Sequence, residues 1–317
     1  YLTAKTNNVN MNALIFDPSS GASGDMIMGC LLDLGANQQT VREAVESVGC
    51  TLEVTQMEKS HIMATKARVI SDKGYSSVKE AESILKGSSL RGKSLENALH
   101  AFDILASAES RVHGKAKAEA RFHEIGALDA LADIAGSIAA RQSLSVEQVI
   151  CRPLHVGGGF VGSAHGLLPI PGPATLEILR SHKIPWKWGP IDEELLTPTG
   201  AAILATLVNE FVLDHSVIRA EKVGYGAGKK ELAVPNLLRG IIAETAIEHT
   251  ISCEIHGKHD DRVVQLETNV DDVTGEVLGH LTELLMDAGA LDVSILPATM
   301  KKGRNGSVIR VIASHEM

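Results

Sequence analysis

The chain has 317 residues, enough for about two domains, and 44% of them are hydrophobic but only 3% aromatic, so its cores must be built from Ala, Val, Ile and Leu. A formal net charge of -9 excludes the broad basic face that non-specific nucleic-acid binding needs, and no apolar run approaches the ~18 residues of a membrane span. Cys30, Cys50, Cys151 and Cys253 are too scattered for a zinc ribbon or a disulfide framework, which leaves reduced, buried thiols in a cytoplasmic protein.

Tyr1 to Asn10 is polar and reads as a leader or tag, with Met11 as the natural start. Asn12 to Phe16 predicts a buried strand, ended by Asp17-Pro18 because proline cannot continue a central ladder. After a loop of small residues, Asp25 to Leu34 predicts a helix stopped by Gly35. Gln38 to Ser47 predicts a second helix, Thr51 to Gln56 and Ile62 to Ile70 a hairpin, and Val78 to Leu85 a helix in a polar stretch. Ser94 to His113 has the strongest helical period, with Leu95, Leu99, Phe102, Leu105, Ala106 and Val112 near one face and Ser94 placed as its cap. A helix over Ala127 to Gln142 and a strand over Gln148 to Leu154 follow. Pro173 suits the first position of a helix to about Leu179, and Thr197-Pro198-Thr199-Gly200 caps another over Ala201 to Glu210. Val217 to Val223 and Leu237 to Ala246 read as strands around a glycine turn, Gly224 to Gly228. Thr250 to Asp261 is polar and marks a boundary. Beyond it the order is strand (Arg262 to Glu267), helix (Val273 to Ala288), strand (Leu291 to Leu296) and strand (Ser307 to Ala313). The expected fold class is α+β: a larger mixed α/β N-terminal domain over 11–250, then a C-terminal ferredoxin-like βαββαβ domain over 262–317 that stops after its third strand.

Four features carry chemistry. The loop Asp17-Pro18-Ser19-Ser20-Gly21-Ala22-Ser23-Gly24-Asp25 opens a helix, and small residues there let backbone N–H groups approach an anion. Its two carboxylates equally suit a cation, and a plain turn with Asp25 as cap is about as good a reading. The Gly-Lys-Ser/Thr ending of a Walker A loop is absent. His113, His123, Glu124, His155 and His165, with Asp129 and Asp133 spaced i, i+4, supply imidazole and carboxylate, a donor set that suits nickel, zinc or cobalt. Any one of these histidines alone is more often a cap or a satisfied core residue. Glu267 to Glu276 crowds Asp271, Asp272 and Glu276 between a strand end and a helix start, a layout for magnesium on a nucleoside triphosphate; Lys301, Lys302 and Arg304 follow the next strand. The bland readings are a capped helix and a solvated turn. Gly224-Tyr225-Gly226-Ala227-Gly228-Lys229-Lys230 is a weak phosphate-cradle pattern.

Together these stretches resemble the nickel-insertion proteins that complete the nickel-pincer nucleotide cofactor of lactate racemase. The resemblance is carried by FDPSSGASGDMIMGCLLDLG (16–35), RVHG (111–114), FHEIGALDALADIAG (122–136), GGFVGSAHGLLPIPGPATLEIL (158–179), LTPTGAAIL (196–204), GYGAGKKEL (224–232) and LETNVDDVTGEVLGHLTELLMDAGALDVSILPATMKKGR (266–304). It implies Ni(II) insertion into pyridinium-3,5-bisthiocarboxylic acid mononucleotide, forming two Ni–S bonds and one Ni–C bond, with CTP as co-substrate and magnesium or manganese. It also implies a homo-oligomer assembled through the C-terminal domain, and apo lactate racemase as a partner. By matching position, Asp271, Asp272 and Glu276 would hold the metal on CTP, and Lys301, Lys302 and Arg304 its phosphates. His113, His123, Glu124, His155 and His165 become nickel ligands, and His123 or His165 the base for the ring proton. Asp17, Ser20, Ser23, Gly24 and Asp25 become the seat of the substrate and its phosphate. The chain has Arg121-Phe122-His123-Glu124 where the family commonly has a histidine in the first place. A non-catalytic nickel metallochaperone or storage module is the alternative.

Overall fold

The computed structural model describes residues 10–71, 74–115, 117, 128–163, 166–212, 219–246, 263–271, 273–299, 301 and 304–314. The chain divides into two compact units, Tyr1–Glu248 and His249–Met317. No helix among the described residues is long and apolar enough to cross a membrane.

Unit 1 is built on β1 (Asn10–Asp17), which runs through the middle of a seven-stranded mixed sheet. Ala13, Leu14, Ile15 and Phe16 are all buried, which explains their unbroken apolar run. The remaining elements follow as α1 (Gly24–Asp33), α2 (Gln38–Ser47), β2 (Thr51–Lys59), β3 (Ile62–Ile70), α3 (Val78–Gly87), α4 (Gly92–Val112) and α5 (Leu128–Ser143). Then come β4 (Gln148–Cys151), β5 (Leu154–His155), β6 (Phe160–Ser163), β7 (Gly166–Pro169), α6 (Pro173–Ser181), β8 (Trp186–Lys187), α7 (Pro198–Leu207), β9 (Glu210–Phe211), β10 (Arg219–Ala227) and β11 (Leu237–Ala246). The sheet order is β2-β3-β10-β11-β1-β4-β9. β4 lies parallel to β1, and β11 antiparallel to it with Asp17 opposite Arg239. Helices α1, α2, α4, α5 and α7 share one core, in which Phe16, Ile27, Leu31, Phe102, Leu105, Leu131 and Ile134 are fully enclosed. Each such side chain contributes roughly 1.5–3 kcal/mol by leaving water.

Several expectations change in detail. The glycine run is not a turn: β10 continues through it to Ala227, with Gly224 opposite Gly240 and Gly226 opposite Leu238. The reason is α1, which lies against this strand too closely for side chains. A Cβ on Gly226 would stand 1.8 Å from the Met26 carbonyl oxygen, and one on Gly29 2.4 Å from the Thr65 carbonyl oxygen. Asp33, at the end of α1, fastens the contact by accepting from Thr65 Oγ1 (2.6 Å) and from the Tyr225 N–H (2.8 Å). α4 begins at Gly92 with Arg91 at its N-cap, so Ser94 lies inside the first turn and does not cap it. The strand expected over Gln148 to Leu154 breaks at Arg152-Pro153 into β4 and β5, because proline offers no N–H to a ladder. α7 stops at Leu207, and Glu210-Phe211 pairs with β4 instead of extending the helix. The β2–β3 hairpin is present, with Thr51 opposite Ile70.

Unit 2 contains β12 (Val263–Val270), α8 (Gly275–Asp287), β13 (Asp292–Thr299) and β14 (Asn305–Ser314). Its antiparallel sheet has the order β12-β14-β13, which places the third strand between the first two as in the opening β-α-β-β of a βαββαβ unit. Leu278, Leu281 and Leu285 of α8 pack on Val293, Ile295, Ile309 and Val311. Leu266 pairs with Val311 and so shares that face, yet it is 57% exposed, and Val264 is exposed beside it. Among the described residues, α8 packs over β13, β14 and the Val270 end of β12, and leaves Val264 and Leu266 uncovered.

Candidate functional site

Asp17 ends β1 and is 5% exposed. Its carboxylate accepts from Ser19 Oγ (2.6 Å) and from Arg239 through Nε (3.1 Å) and Nη2, while Arg152 Nη1 stands 3.9 Å away. Burial opposes its charge, but these donors and cations outweigh burial and hold the carboxyl below its ordinary value. Two half-exposed guanidiniums are thereby anchored at the loop, a type of group suited to holding an anion. His155 is drawn in beside them: its backbone N–H donates to the Pro18 carbonyl (3.4 Å), and its ring Nδ1 is buried with no partner. Burial, then Lys187 and Arg152, push its pKa down against the pull of Asp17, so the ring is neutral at pH 7. The loop is stitched to the start of α7, with the Ala22 N–H donating to Leu195 O (3.0 Å) and the Thr197 N–H to Ala22 O (3.1 Å). Gly21 is required there: its φ is +79° and a Cβ would stand 2.0 Å from the Leu195 carbonyl oxygen.

Asp25, in the first turn of α1, is 4% exposed. Ser23 Oγ and the Met26 N–H (3.1 Å) both donate to its Oδ1. Ser23 thus spends its hydroxyl on Asp25 and makes no helix-cap bond. Asp133 of α5 lies directly over Gly24, where a Cβ would stand 2.4 Å from Asp133 Oδ2. Burial first, then Asp25 and Asp129, push the Asp133 carboxyl well up, with Lys229 opposing. Lys229 Nζ is 3.9 Å from Asp25 Oδ2. Its loop is pinned by the Lys230 carbonyl, which accepts from buried Lys59 Nζ (3.0 Å) and Asn236 Nδ2 (3.1 Å).

The other predicted residues are distributed differently. His113 caps the end of α4 and pairs with Glu109 (3.3 Å). Among the described residues no three His, Cys, Asp or Glu side chains stand close enough to hold a metal, so His113 and His155 form no joint cage there. His123, Glu124, His165, Asp272 and Lys302 lie outside the described residues, as does the whole of the expected boundary, 250–261. Ser20 is half-buried in the loop. In unit 2, Arg304 Nη1 meets Asp271 Oδ2 at 3.2 Å, because the antiparallel β12–β14 pair brings the loops after β12 and before β14 to one end of the sheet. Glu276, in the first turn of α8, and Lys301 are exposed near that end. Arg152 and Arg239 were not singled out from the sequence. Asp17 and Arg239 are 222 residues apart and meet only through strand register.

Residues 14–317 match the family profile described as "Nickel insertion protein". The chain belongs to the nickel insertion family. A relative from Methanothrix thermoacetophila is 58% identical over 303 residues, covering 96% of this chain and 75% of the relative, and is named "Putative nickel insertion protein". One of the same name from Methanosarcina mazei is 46% identical over 310 residues, covering 96% and 76%. A protein of Thermotoga sp. (strain RQ2), 38% identical over 325 residues and covering 96% and 77%, is named "Pyridinium-3,5-bisthiocarboxylic acid mononucleotide nickel insertion protein". No solved structure matches.

For a nickel insertion protein the state of its own sulfur matters, because thiolates bind nickel tightly. Cys30, Cys50 and Cys151 are free and buried, and burial pushes all three thiols up. None of the three offers a thiolate that would hold nickel back from another sulfur ligand.

Proposed function

We propose that this chain inserts Ni(II) into pyridinium-3,5-bisthiocarboxylic acid mononucleotide in a CTP-dependent, lyase-type chelation. The product is the nickel-pincer cofactor of lactate racemase, made in the cytoplasm and passed to the apo racemase. The observation that carries this reading is the pairing of Arg152 and Arg239 with buried Asp17 at the start of the opening loop, beside the neutral His155, in a chain matched by the family from residue 14 to 317. The 5′-phosphate docks on the guanidiniums of the two arginines. Nickel arrives on oxygen and imidazole donors and leaves for the softer thiocarboxylate sulfurs. Forming the Ni–C bond breaks a ring C–H bond: its electron pair goes to nickel and its proton to a base. His123 or His165 takes that proton, and both serve with His113, Glu124 and His155 as nickel ligands. In unit 2, Asp271, Asp272 and Glu276 hold magnesium or manganese on CTP, and Lys301, Lys302 and Arg304 its phosphates. The protein works as a homo-oligomer.

Mass spectrometry tests this reading. Protein, Ni(II), CTP, magnesium and the bisthiocarboxylated mononucleotide are incubated, and a product carrying one nickel in place of the ring proton is expected, with CTP consumed. Nickel retained on the protein, without product or CTP turnover, would establish the storage module instead.

A further inference from the structure

The Asp25–Asp133 pair is a separate concentration of charge from the Asp17 cluster, and its hydrogen bonding is lopsided. Asp25 Oδ1 takes both donors, Ser23 Oγ and the Met26 N–H, whereas Oδ2 is buried and receives no hydrogen bond. The cation beside it, Lys229, is 63% exposed and stands 3.9 Å off, beyond hydrogen-bond distance. Asp133 occupies the space over Gly24 that a side chain would fill, so the two acids flank the first turn of α1. A buried carboxylate with a bare oxygen, next to the half-buried Asp133, is costly unless positive charge joins the pair. A carboxylate with one oxygen tied down by hydrogen bonds and the other bare is oriented as a monodentate metal ligand supported by its outer shell. We propose that Asp25 Oδ2 and the Asp133 carboxylate together seat a divalent cation, its remaining positions filled by water, entered past the exposed Asp129 one turn earlier on α5.

All-oxygen donors suit magnesium or manganese, and hydrated nickel shares their octahedral preference. The proposal holds whichever of these ions occupies the pair, and it does not rest on nickel insertion. Equilibrium dialysis and thermal melting of the full chain, stripped with chelator and titrated separately with Ni(II), Mn(II) and Mg(II), test it. Wild type is expected to bind one ion more than Asp25→Asn or Asp133→Asn, and to melt higher as the ion is added. In each variant, affinity at this site falls at least about tenfold. Unchanged stoichiometry and affinity in both variants would overturn the proposal. A readout on wild type alone guards against a variant that fails to fold: Mn(II) at the pair broadens the amide resonances of Gly24 and Asp133 at one equivalent, and their persistence at saturation rules the site out. Product formation in the mass-spectrometric assay without ion binding here would sink this inference and leave the proposed reaction standing.

Discussion

Asp17 is nearly enclosed, yet it stays ionised because Ser19 donates to it and Arg239 and Arg152 face it. Arg239→Met leaves that carboxylate short of its main partner. The expected loss is about 1–2 kcal/mol in urea unfolding at pH 7, since the half-exposed guanidinium is partly screened by solvent. The sign with pH follows from the lowered carboxyl. The pair's contribution is full above the ordinary value of 3.8 and is lost as pH falls through the lower folded value, so wild type and variant converge in strong acid. Asp133 has the opposite sign. Its carboxyl is raised by burial and by Asp25 and Asp129, with Lys229 opposing, so the unfolded chain releases its proton first as pH rises above 3.8. In chelator, Asp133→Asn is expected to melt with wild type below that pH and progressively above it toward pH 7, as followed by circular dichroism. Asp17 and Asp25 were visible in the sequence as a flanked small-residue loop. Their separate characters, one saturated by arginines and one with a bare oxygen, depend on partners brought from β4, β11 and α5.

At the level of elements, α1 is held by glycines that belong to other strands. Gly226→Ala would drive a methyl into the Met26 carbonyl, and a shift of α1 is the only relief. A loss of about 3 kcal/mol is expected by denaturant titration, at the upper end for overpacking; a change confined to nucleotide affinity, with stability intact, would restore the phosphate-cradle reading. This explains what sequence reading found and missed. Apolar period gave the body of α4, and Pro173 as a first helical residue gave the start of α6, because those signals are local. The glycine run was misplaced because local propensity assigns glycine to turns, while here the decisive contact comes from a helix nearly two hundred residues earlier. The 148–154 strand was overextended for the converse reason: a local signal, Pro153, was outweighed by the apolar run around it. The histidine set was legible only as composition, since whether imidazoles converge depends on tertiary placement.

On the scale of the whole molecule, the two units differ in how well they are closed. Unit 1 wraps one extensive core around β1, whereas among the described residues the core cluster of unit 2 has four buried members, Leu278, Ala290, Ile309 and Val311. Among the described residues β12 is also an edge strand, and it carries the exposed Val264 and Leu266 on the partly covered face. An unpaired backbone edge beside exposed aliphatic side chains is a template for strand addition. Leu266→Lys is expected to lower light scattering of concentrated protein without moving the melting transition of unit 1. The uncovered part of β12 therefore bears on colloidal behaviour as much as on folding: a net charge of -9 disperses the chain in dilute solution. High salt screens that repulsion while leaving the apolar strip intact, so salting the protein out should begin at β12.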